Sequence, residues 1–76
     1  MPTEEEEARL AKIVAANVKR LRSERRLSQK RLSILVGASA SYIHNLEQYD
    51  KLPSFIMGLR ISKTLGVRPE MLLERR

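Results

Sequence analysis

The 76-residue sequence contains no cysteine, a single histidine and no long apolar run. Without cysteine the chain forms no disulfide and offers no thiolate to a metal ion, and one histidine does not make a metal site. No apolar stretch approaches the roughly 18 residues of a membrane-spanning helix. Glutamates occupy positions 4–7, where a secretory signal peptide would carry basic residues before an apolar stretch. We therefore expect a cytoplasmic protein with no metal, no cofactor and no membrane contact.

The chain is also short, which limits it to one domain, residues 1–76, with an acidic N-terminal extension over 1–7. A chain of this size buries only about 60% of its unfolded surface, so its core is small. The sequence shows no carboxylate pair, no nucleophile with a base beside it and no phosphate-binding loop. There is no room for a separate ligand-sensing domain. We expect neither an enzyme nor a small-molecule receptor.

The charge is positive and unevenly distributed. Fifteen basic residues face nine acidic ones, for a net charge of +6, and four of the nine acids lie in residues 4–7. The remaining 69 residues therefore hold 15 basic and five acidic side chains. Such a balance suits a polyanion such as nucleic acid, although a basic domain that is merely soluble has the same composition.

Apolar residues recur at helical spacing, and no alternation of period two extends far enough for a strand. Thr3 followed by Glu6 is a capping box, so the first helix is predicted over 4–24. Its apolar side consists of Leu10, Ile13, Val14, Val18 and Leu21.

Two short helices follow. Ser28 is a good N-cap, and the second helix is predicted over 29–36, ended by Gly37 in a left-handed turn. Its buried residues should be Leu32, Leu35 and Val36. Ser39 should cap a third helix over 40–48. The inner side of that helix should hold Tyr42, Ile43, Leu46 and, in part, Tyr49.

The C-terminal third predicts two more helices. Ser54 caps a fourth helix from residue 55 that Gly66 ends, and Pro69 suits the first turn of a last short helix to about residue 73. The predicted fold class is therefore all-α with five helices.

The third helix is predicted to leave one side exposed. Helices this short do not stand alone in water, so the second and third must pack on the first and fourth. The outer side of the third would then carry Ala40, Ser41, His44 and Asn45. The side chains of this surface are mostly short and polar, and almost none is a carboxylate, which suits the major groove of duplex DNA.

The segment Asn-Val-Lys-Arg-Leu-Arg-Ser-Glu-Arg-Arg-Leu-Ser-Gln over 17–29 resembles the passage from helix 1 to helix 2 of Cro/C1-type (XRE-family) helix-turn-helix regulators. The ordered family motifs continue to about residue 72 and include Leu-Gly-Val-Arg-Pro at 65–69. The resemblance implies a lambda-repressor-like DNA-binding domain whose helices 2 and 3 form the helix-turn-helix. It also implies a transcriptional regulator, specifically a repressor, that binds double-stranded DNA in a sequence-specific manner.

By the same resemblance, Ala40, Ser41, His44 and Asn45 occupy base-reading positions. Asn45 is the best candidate for a bidentate contact to adenine, with a solvated surface asparagine as the alternative. Ala40 offers only a methyl contact. For His44, a contact to phosphate or guanine and a plain surface histidine are both open interpretations.

The resemblance assigns contacts with the DNA phosphates to Gln29, Ser39, Tyr42 and Lys51. For Tyr42 the alternative is structural burial of its ring, and for Lys51 it is a solvated cation. Arg22 and Glu47 match positions that form a partly buried ion pair in the family, so we interpret both as structural residues that orient the third helix.

Four positions depart from the family pattern. Arg26 and Tyr49 stand where glycine is common, and we expect both to adopt positive φ at a cost of roughly 1 kcal/mol each. Ser33 replaces a common alanine. Gly58 replaces a common leucine and should weaken the fourth helix by about 1 kcal/mol relative to alanine.

A single recognition helix reads few base pairs, so we expect a homodimer on two-fold DNA sites. Its candidate interface comprises Phe55, Met71, Leu72 and Leu73, which could equally complete the core. An alternative function is an antitoxin that binds a protein partner and autoregulates its operon. The chain lacks a long additional segment for such a partner, which favours the regulator, and the neighbouring gene would discriminate between the two.

Overall fold

Helices account for the regular structure in the computed structural model, which describes residues 3–75 and shows no strand among them. The elements are α1 (Glu4–Glu24), α2 (Gln29–Leu35), α3 (Tyr42–Gln48), α4 (Phe55–Leu65) and a 3-10 helix (Pro69–Leu73). The all-α prediction is confirmed, except that the predicted fifth helix is a 3-10 helix. Every helix in this part of the chain is too short or too polar to span a bilayer. Met1, Pro2 and Arg76 of the predicted domain lie outside the described residues.

The first helix begins and ends where the sequence predicts. The Thr3 side chain accepts a hydrogen bond from the Glu6 N–H at 3.1 Å, and the Glu6 carboxylate accepts one from the Thr3 N–H at 3.2 Å. The four glutamates of the first turn also interact favourably with the positive end of the helix dipole. The first buried residue of α1 is Ala11, so its two N-terminal turns extend beyond the core.

The second helix is one residue shorter than predicted, because Val36 is its C-cap. Gly37 has the expected positive φ, 79°. The predicted burial of Leu35 is wrong, since 45% of this residue is exposed. At 100° per residue the inward stripe of α2 is occupied by Leu32, Ser33 and Val36, and Leu35 falls outside it.

The third helix begins two residues later than predicted, at Tyr42. Its N-cap is Ser41 rather than Ser39, and the Ser41 side chain makes no capping bond. The Tyr42 N–H instead bonds to the Ser39 carbonyl at 3.0 Å, which closes a tighter turn before the helix. Ala40 and Ser41 therefore lie in this turn and not on α3 itself.

Positive φ values occur at two residues other than glycine in the described chain. Arg26 has φ of 56°, as predicted. The prediction for Tyr49 is wrong, because its φ is −114° and the left-handed residue is Asp50, with φ of 48°. Aspartate tolerates this conformation better than tyrosine because its short polar side chain bonds to nearby backbone groups.

The core lies where α1, α3, α4 and the 3-10 helix converge, with α2 covering α3 and α4. Its buried apolar members are Val14, Ala15, Val18, Leu21, Leu32, Val36, Ile43, Leu46, Ile61, Leu65 and Leu72. Tyr49 lies outside this core, with 65% of its surface exposed, which corrects its predicted inner position.

A buried amide ties the C-terminal segment to α1. Asn17 donates through Nδ2 to the carbonyls of Leu72 and Glu74, both at 2.8 Å, and its Oδ1 accepts from Arg20 at 3.0 Å. All polar atoms of this side chain therefore have partners, which a buried amide requires if its burial is not to cost stability.

Candidate nucleic-acid interface

The angle between α2 and α3 is fixed by a side chain as well as by packing. Ser33 is fully buried on α2, where its hydroxyl donates to the Gln29 carbonyl at 2.8 Å. The same oxygen accepts from the backbone N–H of Ile43 at 2.9 Å. A helix N-terminus leaves such N–H groups without helical partners, so Ser33 satisfies one of them and joins the two helices.

The third helix has an inner and an outer side. Ile43 and Leu46 are buried in the core, with 2% exposure or less. At 100° per residue the opposite side carries His44, Asn45 and Gln48, and the N-cap Ser41 lies in line with them. Asn45 is half-buried and the other three are exposed. We call these four residues the α3 strip.

Sequence reasoning missed Gln48 as a member of the α3 strip. It lies four residues after His44 and seven after Ser41, which is the spacing of residues on one side of a helix. That spacing was a usable signal, but Gln48 stands at the end of the predicted helix. Ala40 is exposed in the turn that precedes α3, one residue before the strip.

Arg22 on α1 and Glu47 on α3 form a two-pronged ion pair. The distances are 2.8 Å from Nε to Oε2 and 3.0 Å from Nη2 to Oε1. Their side chains are 13% and 3% exposed. Arg22 also donates through Nη1 to the Leu27 carbonyl at 2.8 Å, so one guanidinium holds α3 and the loop before α2. The parallel N–H bonds to a carboxylate give this contact a fixed geometry.

The ion pair continues into the α3 strip through Gln29. The Gln29 Nε2 lies 3.0 Å from the Glu47 Oε1, and the Gln29 Oε1 lies 3.2 Å from the His44 Nδ1. The His44 ring also meets the Tyr49 ring edge-on, with centroids 6.4 Å apart. The structure therefore joins Arg22, Glu47, Gln29 and His44 in one chain of contacts that begins inside the molecule and ends at its surface.

Three further residues proposed to contact phosphate lie around α3. Ser39 is exposed before the helix, and Lys51 is exposed after it, with its N–H bonded to the Leu46 carbonyl at 3.3 Å. Tyr42 is half-buried and packs against the core, and this burial raises the pKa of its hydroxyl above the ordinary value. The Tyr42 ring thus packs in part against the core and remains partly accessible, and its contact with phosphate stays a prediction.

The four residues of the candidate dimer interface differ in exposure. Phe55 and Leu73 are exposed, at 78% and 51%, and Met71 is half-buried. Leu72 belongs to the core, because only 4% of it is exposed, so we remove it from the candidate interface. Further exposed apolar residues lie on or before α4, namely Leu52, Ile56 and Leu59.

Comparisons with known proteins find solved structures with a similar fold. No protein-family model and no curated protein matches the chain. The restriction-modification controller protein C.AhdI from Aeromonas hydrophila superposes with a TM-score of 0.75 at 26% identity, over 82% of this chain and 94% of that one. A hypothetical transcription factor, NHTF from Neisseria, superposes with a TM-score of 0.81 at 23% identity, over 97% of this chain and 82% of that one. The fold is therefore that of helix-turn-helix regulators, which confirms the resemblance to the Cro/C1 type.

Proposed function

We propose that this chain is a sequence-specific double-stranded DNA-binding regulator of transcription that acts as a repressor, with α3 inserted in the major groove. Two of its structural neighbours are a restriction-modification controller and a hypothetical transcription factor, and neither is described as an enzyme. Both descriptions favour a regulator over an antitoxin.

The α3 strip is the observation that carries this proposal. It presents a hydroxyl, an imidazole and two carboxamides, which are the groups that bond to base edges in the major groove. The single carboxylate of α3, Glu47, is 3% exposed and paired with Arg22. The recognition surface therefore has donors and acceptors for bases without an exposed negative charge on α3 that would repel the phosphates.

Basic residues on neighbouring elements would attract the DNA backbone. Arg26 is exposed in the loop between α1 and α2, Lys30 and Arg31 are exposed in the first turn of α2, and Lys51 is exposed beyond the end of α3. Each phosphate that such a residue neutralises releases counterions, so these contacts add affinity without adding base selectivity.

Two copies of α3 would be needed for a specific site. One recognition helix covers only a few base pairs, and dimers of this fold class read half-sites about 34 Å apart. We propose that the exposed apolar residues of α4 and the 3-10 helix, led by Phe55 and Leu73, form the contact between the two copies. Burying these residues would remove apolar surface from water, which favours association.

Selection of bound sites from random duplex DNA tests the proposed function directly. We expect a two-fold site with two similar half-sites. Failure to enrich any site, at low salt and with folded protein, would contradict the proposal. Because a repressor blocks transcription, placing the selected site over a promoter should lower transcription from it when this protein is added to purified polymerase.

Substitutions at Asn45 and Lys51 separate the two kinds of contact. Asn45→Ala should reduce discrimination at one base position by about 1–3 kcal/mol, because a bidentate contact is lost. Lys51→Ala should weaken binding to all sequences alike and reduce the log–log salt slope by about 0.9 for each subunit bound. The measurement is DNA affinity across salt concentrations. Lys12→Ala, which removes an exposed lysine from α1, is the charge-matched control.

Unchanged base preference in Asn45→Ala would place the reading surface elsewhere on the molecule. An equal loss of salt dependence in Lys12→Ala and Lys51→Ala would mean that net charge alone determines binding. Either result would contradict the orientation of α3 that we propose.

A further inference from the structure

In the series of side-chain contacts from Arg22 to His44, each hydrogen bond determines which atom of the next bond is the donor. Both oxygens of the Glu47 carboxylate accept from the Arg22 guanidinium, which carries a permanent positive charge. An ionised carboxylate has no proton to donate. Any group that bonds to the Glu47 Oε1 must therefore be a donor.

This requirement orients the amide of Gln29. Its two ends differ, since the nitrogen donates and the oxygen accepts, and an amide flip would exchange them. The end 3.0 Å from the Glu47 Oε1 must be the NH₂ group, so the carbonyl end faces His44. Reversing the amide would place two oxygens against each other at that distance.

The orientation of Gln29 in turn selects the tautomer of His44. The Gln29 Oε1 only accepts, so the His44 Nδ1 at 3.2 Å must carry a hydrogen. A neutral imidazole has one N–H, so its Nε2 is left with a lone pair. His44 is exposed on the α3 strip, where this acceptor is available to a ligand.

We propose that His44 reads an amino group of a base, the N6 of adenine or the N4 of cytosine, through its Nε2 lone pair. Guanine offers only the acceptors N7 and O6 in the major groove, and phosphate oxygens are also acceptors. A neutral His44 held in this tautomer therefore bonds to neither, which replaces the contact to guanine or phosphate that the sequence left open. The inference rests on the proposed function, because it names the base class read by the same surface.

The tautomer can be measured without DNA. Long-range proton–nitrogen NMR on the ¹⁵N-labelled full chain at pH 8 distinguishes a protonated ring nitrogen from one with a lone pair. We expect a protonated Nδ1 and an unprotonated Nε2 in His44. A protonated Nε2 in the wild-type chain would overturn the proposal.

Variants of α2 test whether Gln29 sets this tautomer. In Gln29→Ala the acceptor facing Nδ1 is gone, so we expect the proton to redistribute to Nε2. Lys30→Ala, which removes the next side chain of α2, should leave the His44 spectrum unchanged. The dispersion of the backbone amide signals shows in the same experiment that each variant is folded. An unchanged tautomer in folded Gln29→Ala would overturn the role of Gln29.

Base selection is then measured in two steps. Comparing His44→Ala with wild type identifies the position in the DNA site at which the variant has lost base preference. The affinity of wild type is then measured for four duplexes that differ only in the base at that position. We expect wild type to favour adenine or cytosine there by about 2- to 12-fold at pH 8, the contribution of one neutral hydrogen bond. A preference for guanine or thymine, or no preference lost in His44→Ala, would overturn the proposal. Absence of binding to any duplex would instead overturn the proposed function, even with the expected tautomer in the free chain.

Discussion

Glu47 is the residue at which three helices meet. It lies on α3 and accepts hydrogen bonds from Arg22 of α1 and Gln29 of α2. Since its side chain is only 3% exposed, the carboxylate depends on these partners in place of water. Removing one member of such a pair is costly because the other charge remains buried and uncompensated. The orientation of α3 therefore depends on a buried charge that lies outside the α3 strip.

We expect Arg22→Met to lower the free energy of unfolding by about 3–5 kcal/mol, because it leaves Glu47 buried without its cation. Urea denaturation followed by circular dichroism measures this change. Arg31→Met, at an exposed arginine of α2, is the control and should change stability by less than about 0.5 kcal/mol. The double variant Arg22→Met/Glu47→Leu should recover part of the loss. No recovery would mean that Arg22 stabilises the fold through the Leu27 carbonyl instead.

Only some of the side-chain contacts of the candidate site could be predicted from the sequence. The ordered motifs of the resemblance identified Arg22 and Glu47 as a pair, and the structure brings them together. The contact between Gln29 and His44 was not predicted, because it requires the crossing of α2 and α3 and the rotamers of both side chains. Similarly, the sequence showed that a left-handed residue was needed after α3, but not that the turn places it at Asp50.

At the scale of the helices, side-chain caps explain which boundaries could be predicted. Thr3, Ser28 and Ser54 each accept a backbone N–H bond, and α1, α2 and α4 begin directly after them. Two serines, Ser39 and Ser41, precede α3, and neither pattern nor propensity decides between them. The helix begins at Tyr42 because the Tyr42 N–H bonds to the Ser39 carbonyl in the preceding turn. The sequence does not show this backbone bond, so the start of α3 was predicted two residues early.

Substituting alanine for two of the glycines should change the stability of the fold in opposite directions. Gly58 lies inside α4 with open space where a Cβ would stand, so Gly58→Ala should stabilise the fold by about 0.5–1 kcal/mol. Gly66 also has open space, but its φ is 72°, so Gly66→Ala should destabilise by about 1 kcal/mol. Urea midpoints of the two variants against wild type provide the measurement. Equal shifts of the same sign would show that backbone conformation does not control either site.

At the scale of the whole molecule, four of the eight large apolar residues that are exposed in the described chain lie on α4 or just before it. Phe55 is 78% exposed and Ile56 is 56% exposed, on consecutive positions of its first turn. Large apolar residues grouped on a small protein mark interaction surfaces more often than isolated ones do. The sequence identified Phe55 as a candidate for such a surface, but it could not exclude Leu72, whose burial depends on how the 3-10 helix packs on α1 and α4.

We expect Phe55→Lys to convert a dimer at micromolar concentration into a monomer, because the charge opposes burial of this surface. Sedimentation measures the mass, and affinity for the selected two-fold site should fall in parallel. Leu35→Lys places the same charge on an exposed apolar residue of α2 and should leave the dimer intact. Thermal unfolding of the Phe55→Lys monomer checks that its fold remains. A wild-type monomer, also in the presence of the DNA site, would contradict the proposed dimer.

The bond between the Ser33 hydroxyl and the Ile43 amide holds α3 independently of the side chains that are proposed to read DNA. The third helix is held through a backbone N–H and through inward side chains, whereas Ser41 and Asn45 take no part in that attachment. Under the proposed function, replacing these two residues by others should therefore alter which DNA site is read while the helix stays in place. Under the proposed function, natural drift or laboratory redesign would move the protein among DNA sites by few substitutions, provided that Ser33, Arg22 and Glu47 are kept.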